Sequence, residues 1–170
     1  MLAILAMAPL SIIGALSALP LAFAHMQMSS PSPLRDPHAT DRPDEPKDYN
    51  ILSPLNADGS NFACKGYHLN TPLTTVATYA AGSKQTLRLK GSATHGGGSC
   101  QISLSCDGGD VFHVIKSIIG GCPLRNSYDF IVPSSLPASK KCLLAWTWYG
   151  FSNLLLSQVN WRSAHSLQVQ

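Results

Sequence analysis

Hydrophobic and polar residues alternate in short runs through most of the second half of the chain. Leu87 and Leu89 alternate with the polar residues Thr86 and Arg88, which is the period of a strand with one buried face. Residues 100–106 alternate in the same way. The pattern predicts strands over residues 74–79, 85–90, 100–106, 111–117, 127–132 and 142–149.

Turn signals separate these strands. The segment Asp107–Asp110 has the composition of a hairpin turn, and residues 133–141 are rich in turn-forming residues. No long stretch outside the apolar N-terminus has the 3.6-residue period of a helix, and no internal repeat is present. Short strands at regular spacing predict an all-β protein, an antiparallel β-sandwich. Prolines break up residues 29–60, which predicts a long irregular loop and not a separate domain.

The N-terminus predicts a signal peptide. Residues 1–24 contain no Asp, Glu, Lys or Arg, and Leu2–Leu19 is almost wholly apolar. The segment Ala22–Ala24 has the small-x-small pattern at which signal peptidase cleaves. We therefore expect a secreted protein that begins at His25, with one domain over residues 25–170. The alternative is a transmembrane anchor, although the apolar run barely reaches the ~20 residues that a span needs.

The charge and the cysteine content indicate which partners and which covalent links to expect. Twelve Lys and Arg against nine Asp and Glu give a net charge of +3, without a clustered basic stripe, which does not predict a nucleic-acid partner. Secretion would oxidise the cysteines, so disulfides are expected. Their odd number leaves at least one of them without a partner in the chain, and no spacing predicts a zinc site. The five are Cys64, Cys100, Cys106, Cys122 and Cys142.

Cleavage after Ala24 would change the chemistry of His25. It would then offer a free α-amine and an imidazole, two nitrogens that can chelate one metal ion. A second imidazole would complete a T-shaped set of three nitrogens, which suits Cu(II), whereas zinc would prefer a tetrahedral site with a fourth ligand. The alternative is an ordinary frayed terminus without a metal.

The second imidazole would come from one of the other histidines. We favour His95, because Gly96–Gly98 follow it and allow another segment of the chain to approach closely. Cys100 could anchor the same loop. The alternative is a flexible glycine turn with an exposed histidine. The other candidates are His38, His68, His113 and His165.

Five sequence blocks, taken in order, resemble one family. They cover roughly residues 25–150 and resemble the fungal lytic polysaccharide monooxygenases of auxiliary activity family eleven. The blocks are His25–Met28, Asn61–Tyr67, His95–Gln101, Ile119–Pro123 and Ala145–Trp148.

This resemblance implies a copper enzyme with an immunoglobulin-like or fibronectin-III-like β-sandwich. It implies oxidative cleavage of chitin or a related polysaccharide by one copper ion, with an external electron donor and O2 or H2O2. The metal-binding and catalytic histidine brace falls on His25 and His95, and the expected disulfide joins Cys100 to Cys122. We expect an extracellular monomer that binds no nucleic acid and, once the leader is removed, no membrane.

The resemblance fails after Tyr149. The family has a motif there with an axial Tyr and a Cys that closes a disulfide to the position of Cys64. Without a gap, those two positions fall here on Gln158 and Trp161. This predicts Gln158 at the axial position, an orphaned Cys64, and an atypical tail over residues 151–170. A divergent or truncated C-terminus, for example from a retained intron, would explain the change, and sequencing the transcript would test it.

Aromatic residues offer one further candidate. Tyr67 could stack on a sugar ring, although a partly buried loop tyrosine is an equally good interpretation. Trp146 and Trp148 alternate on one strand face and are predicted to be core residues. Two alternatives to an active enzyme remain open. One is a non-catalytic copper-binding or carbohydrate-binding relative with a degenerate C-terminus, and the other is a chain too damaged to fold.

Overall fold

The computed structural model describes residues 26–53, 55–56, 58–150, 159–162 and 166–169. A 3₁₀ turn at Cys64–Gly66 leads into the short helix α1 (Tyr67–Asn70), and otherwise the regular structure of this part is β. The strands are β1 (Met26–Ser30), β2 (Thr75–Tyr79), β3 (Lys84–Gly91), β4 (Gly98–Ser105), β5 (His113–Ile118), β6 (Ser127–Ile131), β7 (Ser139–Gly150), β8 (Val159–Arg162) and β9 (Ser166–Val169).

The strands form two sheets. One has the order β1-β3-β6, and the other has the order β2-β9-β7-β4-β5, with β8 also paired to β7. All pairs are antiparallel except β2 with β9. Because β4 pairs with β7 from Gly98↔Gly150 to Ser105↔Leu143, β8 and β9 share the opposite side of β7.

The main core packs between the two sheets. Along each facing strand, every second side chain points into this core, as expected for a sandwich. The cluster includes Met26, Met28, Leu87, Leu89, Ile102, Leu104, Phe130, Leu144, Trp146 and Trp148, none of them more than 5% exposed. The prediction that both tryptophans are core residues is therefore confirmed.

A second cluster covers the outer face of β7. Leu143 and Ala145 pack there against Leu34, Ala63 and Cys64 from the irregular segment that precedes β2. This segment is held by the buried Arg42 guanidinium, which lies 3.1 Å from a Glu45 carboxylate oxygen. The loop predicted over residues 29–60 thus contributes Leu34 to the cover of the larger sheet, and the segment that follows the loop contributes Ala63 and Cys64.

The all-β sandwich predicted from the sequence is confirmed, with strand boundaries shifted by a few residues. The largest shift is at β7, which begins at Ser139, three residues before the predicted start. Strand β1 was not predicted, because its five residues lack a clear period and adjoin the proline-rich segment. The tail expected to be atypical contributes β8 and β9 to the larger sheet. Residues 1–25, which include the predicted leader, lie outside the described residues.

Two disulfides join strands and loops. Cys100 is bonded to Cys122, the pair that the sequence led us to expect, and Cys106 is bonded to Cys142. Cys64 is the remaining cysteine, and it is free and buried. Across the described ranges, no helix is both long and apolar enough to cross a membrane.

Candidate metal centre

One end of the sandwich gathers the start of β1, the end of β3 and the start of β4. Met26, the residue after His25, pairs with Gly91 at the end of β3. The chain then crosses to the other sheet through residues 92–97, which carry His95, and enters β4 at Gly98. The start of β1 and the loop with His95 therefore belong to the same end of the fold.

The backbone of the His95 loop is left-handed over four consecutive residues. The φ angles are 47° at His95, 76° at Gly96, 90° at Gly97 and 152° at Gly98. Histidine is among the few residues with a side chain that enter this region with some frequency, whereas glycine enters it freely. The loop tightens through a hydrogen bond from the Gly97 N–H to the carbonyl of Thr94, with an N···O distance of 2.7 Å. The turn leaves the His95 side chain exposed.

The His95 imidazole stacks on the indole of Trp148. The ring centroids are 5.8 Å apart and the planes differ by 22°. Trp148 in turn stacks on Trp146, with centroids 6.3 Å apart and 16° between the planes. One face of the exposed imidazole is therefore held against a ring anchored in the core.

The β5–β6 loop braces the same region. The Cys100–Cys122 disulfide ties it to β4, and the Cys122 N–H donates to the Gly98 carbonyl at 3.1 Å. The Gly120 N–H donates to Oγ of Ser99 at 3.2 Å. The loop also places Leu124 against Gly97, where a Cβ would lie 3.2 Å from Cγ of Leu124.

Apolar side chains are exposed around this end. Ile119 and Leu124 on the β5–β6 loop are 86% and 55% exposed, and Tyr149 near the end of β7 is 37% exposed. None of these three residues was predicted from the sequence to belong to the site. The sequence offered a partial indication, because Ile119 belongs to one of the five blocks that carry the family resemblance.

The other described histidines lie elsewhere. His113 is exposed on β5 opposite Leu104, about 20 Å along β4 from Gly98 at ~3.3 Å per residue. His68 lies in α1 and packs edge-on against Phe112, where burial lowers its pKa despite the opposing charge of Asp110. His38 is exposed, and its backbone N–H donates to Asp36. His165 lies outside the described residues.

Tyr67, the candidate sugar-stacking residue, is committed to contacts within the protein. Its hydroxyl donates to a carboxylate oxygen of Asp48, and the Arg35 guanidinium lies 4.6 Å from its ring centroid. The pKa of Tyr67 is raised, first by burial and then by the Asp48 carboxylate. Tyr67 packs against the outer cluster with Leu143, whereas Trp148 faces the main core. The structure does not bring Tyr67 together with His95.

Of the three nitrogen donors that the copper site needs, the described residues include only the His95 imidazole. No group of three or more His, Cys, Asp or Glu side chains in that part is placed to hold a metal ion. His95 supplies one exposed imidazole, and the space beside Gly96 is open, with no atom within 4 Å of a Cβ built there. His25 and Gln158 lie outside the described residues. The three-nitrogen set fits only if His25 supplies its amine and imidazole.

Comparison with known proteins identified three curated relatives, whereas no family model matches the sequence. The chain is 54% identical over 129 residues to AA11 family lytic polysaccharide monooxygenase A of Aspergillus fumigatus, covering 76% of this chain and 58% of that protein. It is 36% identical to an AA11 family lytic polysaccharide monooxygenase of Aspergillus oryzae and 34% identical to an Aspergillus fumigatus AA11 family enzyme B. Each of these two matches covers 74% of this chain.

The chain is shorter than these relatives. It spans 58% of the length of the first, 31% of the second and 32% of the third. The similarity therefore concerns only part of each relative.

Proposed function

The chain belongs to the AA11 family of lytic polysaccharide monooxygenases, and from this premise we propose that it is a secreted, copper-dependent enzyme that cleaves glycosidic bonds in chitin oxidatively. In this proposal the leader is removed after Ala24, and His25 becomes the N-terminal residue. The α-amine and imidazole of His25 and the imidazole of His95 hold one copper ion.

One observation carries the proposal. His95 lies on the loop between β3 and β4, at the end of the sandwich where β1 begins one residue after His25. Strand β1 is fixed there, since Met26 and Met28 are fully buried and β1 pairs with β3 along its length. The described chain thus begins with a paired and buried strand, in contrast to a frayed terminus.

The bound copper would supply the redox chemistry that uses O2 or H2O2, with an external electron donor, to hydroxylate a carbon of the glycosidic linkage. The protein's own part is to hold the donors and present the polymer. Trp148 covers one face of His95, and the disulfide between Cys100 and Cys122 ties β4, which follows the loop, to the β5–β6 loop. Such support around a ligand is as much a part of a metal site as the ligand itself.

The substrate would rest on the exposed apolar side chains at this end. Ile119, Leu124 and Tyr149 offer contacts to the C–H faces of sugar rings, and Tyr149 can stack on one. Tyr67 has a weaker claim to this role, because Arg35 already covers its ring. Gln158, which the resemblance aligns with the axial tyrosine of the family, would supply a side-chain amide that can donate a hydrogen bond near the copper.

A second candidate function is a copper-binding or carbohydrate-binding relative without catalytic activity. The observation that favours it is Cys64, which is buried and unpaired. The family resemblance pairs this position with a cysteine that the chain replaces by Trp161. A C-terminal segment that has lost its disulfide and axial tyrosine would still leave His25 and His95 in place.

Product analysis separates the two candidates. The secreted protein, loaded with copper, is incubated with β-chitin and ascorbate, and soluble products are identified by mass spectrometry. We expect oxidised chito-oligosaccharides from the natural protein and from the His113→Ala variant, and none from His95→Ala. His113 is the matched control, since it is an exposed histidine far from the site. Copper binding without any oxidised product would favour the non-catalytic relative.

A further inference from the structure

We propose that Trp148 is the positioning residue for His95, and that its indole fixes the plane of the imidazole before any metal binds. The inference rests on the proposed function only for the identity of the metal ion. The stack of His95 on Trp148 involves protein side chains only and does not require a metal.

The indole of Trp148 lies in a slot between two glycines. Gly98 and Gly150 pair across β4 and β7. A Cβ at Gly98 would lie 3.0 Å from Nε1 of Trp148, and a Cβ at Gly150 would lie 3.5 Å from Cε2 and Cζ2 of the same ring. A side chain at Gly98 would therefore press on the indole, whereas one at Gly150 would make ordinary van der Waals contact with it.

Trp146 supports the indole from the core. It is fully buried and stacks nearly parallel to Trp148, which is itself only 1% exposed. Buried side chains at native packing density have little freedom to change rotamer. The ring that faces His95 is therefore rigid.

His95, in contrast, is exposed on the loop between β3 and β4. Three glycines follow it, and the space beside Gly96 is open. The contact with Trp148 connects this exposed imidazole to the packed core.

Orientation of the His95 imidazole by Trp148 should strengthen metal binding. An imidazole that is already oriented loses less conformational freedom when it binds an ion. Residues that orient a metal ligand typically change metal affinity about 10- to 100-fold when they are substituted. We expect a change of this size for Trp148, whose ring stacks on His95, and a smaller change for Trp146, whose ring stacks on Trp148.

Nuclear magnetic resonance of the metal-free protein tests the stack directly. In the natural protein we expect the imidazole protons of His95 to be shifted by the ring current of Trp148 and to show nuclear Overhauser effects to its indole. In Trp148→Leu the ring-current shift should disappear, while in Trp146→Leu it should remain. Unshifted His95 signals in the natural protein would overturn the inference, and this spectrum needs no variant that must fold.

Copper titration tests the positioning role. For protein secreted with its own leader, we expect the Kd for Cu(II) to rise about 10- to 100-fold in Trp148→Leu. We expect recovery to within about threefold of the natural value in Trp148→Phe, which keeps a flat ring. Trp146→Leu controls for lost core packing. Equal affinity in Trp148→Leu and the natural protein, or equal weakening in both leucine variants, would overturn the inference.

The two tests keep this inference apart from the proposed function. If the natural protein binds no Cu(II), the proposed function fails, and the metal-free spectra still decide whether Trp148 orients His95. If it binds Cu(II) tightly and Trp148→Leu binds it equally well, the proposed function stands and the positioning role is wrong.

Discussion

Gly98 lies so close to Tyr149 that a Cβ on Gly98 would be 2.0 Å from the Tyr149 carbonyl oxygen. No side chain fits this approach, and the φ angle of 152° at Gly98 is one that other residues rarely adopt. The close contact lets β4 begin directly against the end of β7. It thereby brings the loop with His95 over Trp148.

Substitution of Gly98 by alanine should therefore be more damaging than the same substitution two residues earlier. Gly96 also has a positive φ, but nothing lies within 4 Å of a Cβ built there. We expect the free energy of unfolding of Gly98→Ala to be lower than that of Gly96→Ala by about 1–3 kcal/mol, the usual cost of overpacking. Urea denaturation of both variants measures the difference, and equal stabilities would contradict the account of this contact.

The disulfide pattern predicts a specific peptide map. Digestion under non-reducing conditions should yield Cys100 joined to Cys122 and Cys106 joined to Cys142. Removal of the first bridge by Cys100→Ser with Cys122→Ser should cost about 2–4 kcal/mol of stability, since it frees the loop that braces the site. A peptide linking Cys64 to any of these cysteines would contradict the structure.

The thiol of Cys64 should be unreactive towards alkylating reagents in the folded protein. Burial raises its pKa to about 12, so almost no thiolate exists near neutral pH. We expect no reaction with iodoacetamide at pH 8 in buffer and one labelled cysteine per chain in concentrated urea, without reductant. Cys64→Ala is the control and should remain unlabelled in both conditions. Rapid labelling of the natural protein in buffer would show that Cys64 is not buried.

Asp48 should make the protein more stable at neutral pH than in acid. Burial alone would raise its pKa, but hydrogen bonds from Tyr67 and the Asn50 N–H, together with Lys65, outweigh burial and lower it. A carboxyl whose pKa is lower in the folded state stabilises the fold above its ordinary value of 3.8, and this stability is lost as the pH falls through the folded pKa.

The variant Asp48→Asn tests this contribution. We expect it to lower the free energy of unfolding by about 1.5–3 kcal/mol at pH 7, the range for a hydrogen bond to a charged group, and by less below pH 3. Asp44→Asn, on the exposed part of the same segment, is the matched control and should change little. A loss in Asp48→Asn that is independent of pH would show that the charge does not matter.

The local pattern was sufficient to predict much of the fold and drew attention to one loop of the candidate site. The alternation around Leu87 and Leu89 predicted β3, because burial on one face of a strand imposes a period of two. His95 emerged from the glycines that follow it, and the structure gives each of these a positive φ. Both are features of neighbouring residues, which a sequence displays directly.

The relationships that were missed depend on long-range pairing. Trp148 meets His95 only because β4 pairs with β7 in one particular register, with Gly98 opposite Gly150. The bond between Cys106 and Cys142 depends on the same pairing, since β4 and β7 place the two cysteines side by side. No short window of sequence contains both partners of either contact.

The central claim is that His25 and His95 together hold one copper ion, and Cu(II) titration of two matched proteins tests it most directly. One protein begins at His25, and the other carries a single additional Met before it, which displaces the α-amine. Calorimetry and electron paramagnetic resonance should show one tightly bound Cu(II) per chain with nitrogen ligands in the first protein. In the second protein, and in His95→Ala, tight binding should be lost. Equal affinity with and without the additional Met would contradict the claim.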